Sequence, residues 1–306
     1  MASNLHKALY PPLNKLYSFL EPAMLIDFRV RPPFKSHLDT CVFNGGPIPT
    51  DPLKQSIFDI GKEKVPSKEA RSIEMFMEEM DATGTTKAVI MGRKADSYGS
   101  VNNDDSAELA AKYPGRFIPF AGINPSLPGQ VEEIERCARM GFRGIGLDCG
   151  WLNDPMYIDD KRIDPIYEKC QELDLIVSIT CSFCLGPDMT YSDPDAIMRV
   201  ANRFPNMKIV VPHACWPHVH KALAMAILCE NVYLMPDCYV YIPGFPMSEE
   251  YINAANTYLK YRILYASTYP VRSLTQCLAG WKSRNFTEEA LRNTLYENAA
   301  RLLGEI

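Results

Sequence analysis

The chain has 306 residues, of which 47% are apolar and 23% are charged, a balance that is ordinary for a soluble globular protein. Its formal net charge of −5 excludes a general electrostatic attraction to nucleic acid or to an anionic membrane. Because no apolar run is long enough to span a membrane and the N-terminus lacks an export signal, we expect a cytoplasmic protein whose ten cysteines are reduced.

The first predicted strand, AMLIDFRV over 23–30, ends in charged residues. Side chains alternate between the two faces of a strand, so Asp27, Arg29 and Arg31 are predicted to share one face. Burying three charges on one face costs free energy unless each charge finds a partner or a ligand. We therefore expect this strand end to form the floor of a functional site. The alternative is a cluster of ion pairs that has only a structural role.

Residues 34–66 contain few periodic apolar positions and several prolines. A structureless stretch of this length inside a compact domain usually forms a binding loop, so we predict a lid-like insertion over the mouth of the fold. Beyond it, Ser67 is predicted to cap a helix with apolar residues at 73, 76, 77 and 80.

From residue 87 onward, short apolar runs alternate with amphipathic helical segments. The runs lie at 87–92, 117–123, 142–148, 175–181, 208–214, 231–237 and 262–268. The helices are predicted over 104–113, 129–140, 164–173, 194–203, 218–229, 249–259, 271–281 and 287–303. With the opening strand, these runs make eight βα units and predict a (β/α)8 TIM barrel that forms one domain over residues 1–306. A doubly wound open sheet is the weaker competitor.

In such a barrel, the carboxyl ends of the strands carry the functional groups. Asp27, Asp148 and His213 are the candidate catalytic residues, because a carboxylate can set the tautomer of a nearby imidazole and raise its pKa. The candidate substrate-binding residues are Arg29, Arg31, Arg93, Thr180, Trp216, Thr268 and Tyr269. Asp237 also ends a strand, and aromatic residues follow several of the others. A pocket of this composition suits a small organic acid or a ring.

Four segments carry a resemblance to a known family: IDFRVRPP at 26–33, KIVVPHACWP at 208–217, RILYASTYP at 262–270 and LYENAARLLG at 295–304. They resemble the first strand, sixth strand, eighth strand and closing helix of the amidohydrolase-related family. The branch in question contains aminocarboxymuconate-semialdehyde decarboxylase, γ-resorcylate decarboxylase, 4-oxalomesaconate hydratase and 2-pyrone-4,6-dicarboxylate lactonase. The resemblance implies the same barrel, a hydrolase or lyase activity and a small carboxylated substrate.

The resemblance also implies a bound metal ion, but this chain departs from the family at the positions of the metal ligands. In the family, a divalent cation is usually held by two first-strand histidines, a fifth-strand histidine and an eighth-strand aspartate. The matching positions here are Arg29, Arg31, Thr180 and Thr268, whereas the family's sixth-strand histidine is retained as His213. Arginine offers only hydrogen-bond donors and repels a cation, so we expect neither a metal nor another cofactor.

The favoured hypothesis is therefore a metal-independent hydrolase or lyase acting on a small carboxylated compound, with cyclic and lactone compounds included. Arg29 and Arg31 would hold the anion, and His213 would transfer the proton. Three alternatives stay open: a catalytically degenerate barrel that binds a small organic acid, a metal-dependent enzyme with an unrecognised ligand set, and nucleophilic chemistry at Cys215. The resemblance alone also implies a homo-oligomer.

Overall fold

The computed structural model describes residues 24–44 and 61–306. Within them, seven parallel strands form one sheet in sequence order. The strands are β1 (Leu25–Val30), β2 (Thr85–Met91), β3 (Phe117–Gly122), β4 (Gly144–Leu147), β5 (Ile176–Ile179), β6 (Ile209–Pro212) and β7 (Val232–Met235). The longer helices are α1 (Ile73–Thr83), α2 (Asn103–Lys112), α3 (Gln130–Arg139), α4 (Asp164–Glu172), α5 (Pro194–Arg203), α6 (Val219–Leu228), α7 (Ser248–Asn256) and α8 (Leu274–Lys282). Three consecutive helical segments close the chain, at Glu288–Arg292, Asn293–Glu297 and Asn298–Leu302.

The eighth predicted strand, residues 262–268, closes the sheet without forming a regular strand. On one side its backbone exchanges hydrogen bonds with Leu234 of β7. On the other side, Tyr265 and Tyr269 accept the N–H groups of Phe28 and Arg31, both at 3.1 Å. The sheet therefore has no open edge at this seam, and the predicted (β/α)8 barrel is confirmed.

The strands separate two apolar layers. Inward-facing side chains fill the barrel interior, and they include Phe28, Val89, Met91, Phe120, Ile176, Val210, Met235 and Leu264. Leu302, which ends the last helical segment, and Leu303, which follows it, pack against this interior cluster and cover the end of the barrel where the strands begin. Outward-facing residues pack against the surrounding helices. In barrels of this kind the functional groups lie at the opposite end, where the strands finish.

The beginning of the predicted lid lies at this carboxyl end. A short 3-10 helix, Lys35–Asp39, follows β1 and packs beside α2, where Nε2 of His37 lies 3.0 Å from Oγ of Ser106. Residues 45–60, the middle of the predicted insertion, lie outside the described residues. After them, Ser67 belongs to a separate short helix (Pro66–Glu69), and it is Ser72 that caps α1 by accepting the N–H of Met75. The predicted capping role of Ser67 is therefore wrong.

Among residues 24–44 and 61–306, no helix combines the length and the apolar character that crossing a bilayer requires.

Candidate active site at the carboxyl ends of the strands

An extra residue in β1 turns both first-strand arginines toward the inside of the barrel. Three steps along β1, from Asp27 to Val30, match only two steps along β2. This arrangement is a β-bulge, in which one strand carries one residue more than its partner. Val30 packs in the outer apolar layer, so its neighbours Arg29 and Arg31 face inward.

The same bulge places Asp27 on the helix-facing side of β1, in register with Ala88 of the outer layer. The prediction that Asp27 shares a face with the two arginines is therefore wrong. Its Oδ1 accepts the backbone N–H of Arg29 at 3.2 Å and that of Ser267 at 2.9 Å. Burial raises the pKa of Asp27 to about 6, and the hydrogen bonds with Ser267 oppose this rise. Asp27 thus stabilises the seam between β1 and the eighth segment, at the point where the backbone ladder is interrupted.

Arg29, His213 and Asp237 form one buried chain of contacts. Nη1 of Arg29 lies 2.8 Å from Nε2 of His213 and 3.4 Å from Oδ2 of Asp237. The other ring nitrogen, Nδ1 of His213, lies 2.9 Å from Oδ1 of Asp237. His213 is 8% exposed, and the other two side chains are more deeply buried.

The contact with Arg29 determines the tautomer of His213. Arginine can only donate, so Nε2 must accept, and the ring proton must lie on Nδ1, which donates to Asp237. Burial lowers the pKa of His213 below its ordinary value, and Arg29 adds to this effect against the opposing charge of Asp237. Burial also disfavours ionised Asp237, but His213 and Arg29 hold the pKa of its carboxyl below the usual range. These three contacting side chains are therefore a cation, a neutral imidazole and a carboxylate.

Strained backbone holds these groups in place. His213, Ala214 and Cys215 follow β6 with φ angles of 65°, 46° and 59°, and Asp237 follows β7 with a φ of 41°. Thr268, at the end of the eighth segment, has a φ of 53°. Such angles cost non-glycine residues on the order of 1–3 kcal/mol each and cluster at functional sites. Three successive strand ends thus carry strain where the predicted site lies.

A second buried ion pair lies beside the first group. Nε of Arg93 donates to Oδ2 of Asp148 at 3.2 Å, and the Arg93 guanidinium stacks 4.8 Å from the ring centroid of Trp151. Burial would raise the pKa of Asp148, but Arg93 and Arg31 hold it below its ordinary value. Asp148 therefore acts as a counter-ion. A role as general acid would need it to take up a proton that both arginines oppose.

Arg31 differs from the other two arginines because one edge of its guanidinium is unused. It is 2% exposed, and among the described residues neither Nε nor Nη2 has a hydrogen-bond partner. These two nitrogens form one side of the planar fork, the side that grips both oxygens of a carboxylate. Burial lowers the pKa of Arg31 well below its ordinary value, and the charges of Arg93 and Arg29 lower it further. A bound anion would accept hydrogen bonds from the two unpaired donors, and its charge would offset the repulsion between Arg31 and the other two arginines.

Aromatic rings line the site next to His213. The Tyr239 ring lies 5.6 Å from the imidazole and stacks on Trp216 at 5.3 Å between centroids. Phe183 and Phe245 pack against the same pair. The indole N–H of Trp216 donates to a backbone carbonyl, which fixes the ring as part of the wall. The structure thus places Trp216 near the predicted catalytic histidine.

The remaining predicted binding residues divide between the inside and the outside of the barrel. Thr180 lies beside Asp148 and helps to lower the pKa of that carboxyl. The hydroxyl of Thr268 is buried and has no partner within the described part of the chain. Tyr269 instead points outward: its ring packs against Phe76 of α1, and its hydroxyl lies 2.7 Å from Oγ of Ser67. The prediction that Tyr269 binds substrate is therefore wrong, because it follows Thr268 and faces the opposite way.

Asp237 is the functional candidate that sequence reasoning missed. The sequence pattern places it at the end of the seventh strand but assigns it no role. The sequence did contain a signal for this role. His213 and Asp237 end neighbouring strands, and a buried imidazole needs a hydrogen-bond partner for its second ring nitrogen.

The residues at the strand ends do not fit the divalent metal that the resemblance implies. Within the described chain, the one cluster of three candidate ligands is His213, Asp237 and Cys238, whose ligand atoms lie within 4.8 Å of one another. However, the Arg29 guanidinium contacts Nε2 of His213 and the Asp237 carboxylate, so a positive charge already lies where a cation would bind. Cys238 is no better suited to chemistry as a thiolate, because burial raises its pKa well above the ordinary value.

Comparisons with known proteins agree with this architecture. An uncharacterised TIM-barrel protein from Bordetella bronchiseptica is 31% identical, with a TM-score of 0.84 over 92% of this chain and 99% of that one. The 2,6-dihydroxybenzoate decarboxylase from Rhizobium gives a TM-score of 0.63 at 17% identity, over 94% and 99% of the two chains. A probable 2-pyrone-4,6-dicarboxylic acid hydrolase from Acinetobacter baumannii, solved with citric acid bound, gives 0.61 at 14% identity, over 93% and 100%. The last two likenesses show the fold alone.

Sequence comparison identifies the family. The γ-resorcylate decarboxylase of Rhizobium sp. (strain MTP-10005) is 29% identical over 130 residues, which span 40% of this chain and 39% of that relative. The sequence profile described as amidohydrolase matches residues 27–304, almost the whole barrel. The chain therefore belongs to the amidohydrolase family.

Proposed function

We propose that this protein is a hydrolase or carboxy-lyase that acts, without a metal, on a small carboxylated compound. The observation that carries the proposal is the unused edge of Arg31. A buried guanidinium with two unpaired donors on one side is a preformed receptor for a carboxylate. It lies beside Arg29 and Arg93, so the substrate anion would meet three positive charges.

The balance of charge supports an anionic ligand. Arg29, Arg31 and Arg93 face two carboxylates that are held ionised, Asp148 and Asp237. One positive charge is therefore left over inside this group, and a carboxylate would neutralise it. Burying a charge without a partner costs several kcal/mol, so binding the anion would also stabilise the fold.

The named relatives support the same chemical class. γ-Resorcylate decarboxylase and 2,6-dihydroxybenzoate decarboxylase are named for decarboxylation, and the dicarboxylic acid hydrolase is named for hydrolysis of a pyrone. All three names describe a carboxylated ring. The aromatic wall of Trp216 and Tyr239 would pack against such a ring, with its carboxylate on Arg31.

In this proposal, His213 transfers the proton, and Arg29 controls when it can do so. Nε2 carries the basic lone pair, but it is occupied by Nη1 of Arg29. When the substrate carboxylate binds Arg31, a second oxygen of the substrate would attract Arg29 and free Nε2. Asp237 would then stabilise the imidazolium through Nδ1.

We further propose that the protein works in a reducing compartment, the cytoplasm, and as a homo-oligomer. All ten cysteines are free thiols, eight of them buried, as expected where disulfides do not form. The oligomer rests on the family resemblance.

Thermal unfolding with a panel of aliphatic and aromatic mono- and dicarboxylates tests the proposal, with the neutral amides as matched compounds. At least one carboxylate should raise the melting temperature while its amide does not, and Arg31→Met should lose the response. Arg116→Met, which removes an arginine paired with Asp81 far from this group, should keep it. A stabilising compound should then be turned over in the presence of a chelator. Turnover that chelation abolishes would contradict metal independence, and stabilisation without turnover would identify a degenerate binder.

A further inference from the structure

The Arg29 guanidinium occupies a position with two ligands typical of a metal centre. Nη1 lies 2.8 Å from the Nε2 lone pair of His213 and 3.4 Å from Oδ2 of Asp237. An imidazole nitrogen and a carboxylate oxygen that converge on one point are ligands that divalent transition metals use in proteins.

The surroundings also resemble a supported metal ligand. Asp237 Oδ1 lies 2.9 Å from Nδ1 of His213, so the carboxylate fixes the ring with Nε2 pointing at the guanidinium. The N–H of Cys238 donates to the same oxygen at 2.6 Å, which in turn fixes the carboxylate. The pair is therefore preorganised around a cation that is part of the chain.

We infer that Arg29 is a resident cation, which supplies the positive charge at a latent metal site formed by His213 and Asp237 and keeps a divalent ion out of it. Arg29 is 1% exposed and Asp237 is fully buried, so the carboxylate has little access to water and needs a cation beside it. The inference does not depend on the proposed function, because it holds for an enzyme and for a binder alike.

An ordinary buried salt bridge is the competing explanation. It predicts that removing Arg29 only destabilises the protein, whereas a latent metal site predicts that removal creates affinity for a metal. Arg31 provides a matched control, because it lies on the same inward face but makes no hydrogen bond to His213 or Asp237 among the described residues.

The first test is cobalt and zinc binding by Arg29→His, which replaces the guanidinium with a third potential ligand. Metal content after dialysis and the visible absorption spectrum of bound Co²⁺ are the readouts. We expect stoichiometric binding, at least about 100-fold tighter than in the wild type. Arg31→His should resemble the wild type, Arg29→Lys should bind no metal because it keeps the charge, and Arg29→His with His213→Ala should lose the site. Equal metal binding by wild type and Arg29→His, or by both histidine variants, would overturn the inference.

A second variant keeps the inference testable if Arg29→His fails to fold. Arg29→Gly removes the whole side chain, including the guanidinium group, and added guanidinium ion or Zn²⁺ should raise its melting temperature. Neither ion should raise that of Arg31→Gly or of the wild type. If neither cation stabilises Arg29→Gly, the cation at this point is not replaceable and the inference fails.

Discussion

Nη1 of Arg29 lies 2.8 Å from Nε2 of His213, so the basic nitrogen of the imidazole faces a permanent cation. In the sequence, the two residues lie far apart, at the ends of the first and sixth strands. The other ring nitrogen of His213 contacts Asp237, so Asp237 is the carboxylate partner of the imidazole instead of the expected Asp27 or Asp148. The charge of Arg29 also adds to the effect of burial in lowering the pKa of His213, the proposed proton carrier.

Arg29→Met should raise the pKa of His213, because the substitution removes a positive charge that lowers it and leaves the Asp237 carboxylate that raises it. The pKa can be followed through the imidazole resonances in an NMR pH titration. Arg116→Met, remote from the ring, should leave the titration unchanged. An unaltered or lower pKa in Arg29→Met would show that the guanidinium does not act on Nε2 in solution.

Asp27→Asn should change how stability depends on pH. The pKa of Asp27 is raised from 3.8 to about 6 in the folded protein. A carboxyl with a raised pKa contributes stability below about pH 4 that is lost as the pH rises through 6, here about 3 kcal/mol. The amide can still accept both backbone N–H groups but cannot ionise.

The stability of Asp27→Asn relative to the wild type should therefore improve between pH 4 and pH 8. Urea denaturation across this range measures the difference. Two parallel stability profiles would contradict a buried Asp27 with a raised pKa.

Asp148→Asn should destabilise the protein and increase its response to anions. The substitution removes the counter-ion of Arg93, and leaving a buried charge unpaired costs about 3–5 kcal/mol. A bound carboxylate would replace part of the missing charge, so citrate should raise the melting temperature more than it does in the wild type. A neutral polyol at equal concentration is the control. An equal response to citrate and polyol would mean that no anion reaches Arg93.

Thr268→Val and Tyr269→Phe should separate the two faces of the eighth segment. Thr268 has a buried hydroxyl that is free to meet a ligand, so its loss should weaken ligand binding by about 1 kcal/mol, or about fivefold, with little effect on stability. Tyr269→Phe removes the hydrogen bond to Ser67, so it should lower stability by about 1 kcal/mol and leave binding unchanged. Thermal shift and urea denaturation measure the two effects, and the reverse pattern would contradict the assigned faces.

Much of the barrel could be predicted from the sequence because parallel strands covered by helices give short apolar runs at regular spacing. Six of the seven regular strands lie within the predicted runs, and β2 begins at Thr85, two residues before its predicted run. The eighth run was predicted as a strand but forms no regular strand, because its backbone pairs with Leu234 on one side while the Asp27 carboxylate interrupts pairing on the other. That interruption is a side-chain effect that periodicity does not show.

The site was predicted less completely, for two physical reasons. Strict alternation placed Asp27 beside Arg29, whereas the bulge moves them to opposite faces. Pairing between distant strand ends, such as that of His213 with Asp237, depends on side-chain geometry that spacing along the chain does not contain. Arg29 and Arg31, in contrast, share one face as predicted, because the strand alternates regularly over Arg29, Val30 and Arg31.

The extra residue in β1 also bears on how such chains diverge. A point substitution changes which side chain occupies a position, but gaining or losing one residue before Val30 changes which positions look into the barrel. A gap-free alignment of first strands therefore compares equivalent faces only when both proteins carry the bulge. Tracing how an arginine pair arose in this strand requires insertions and deletions to be counted before substitutions are interpreted.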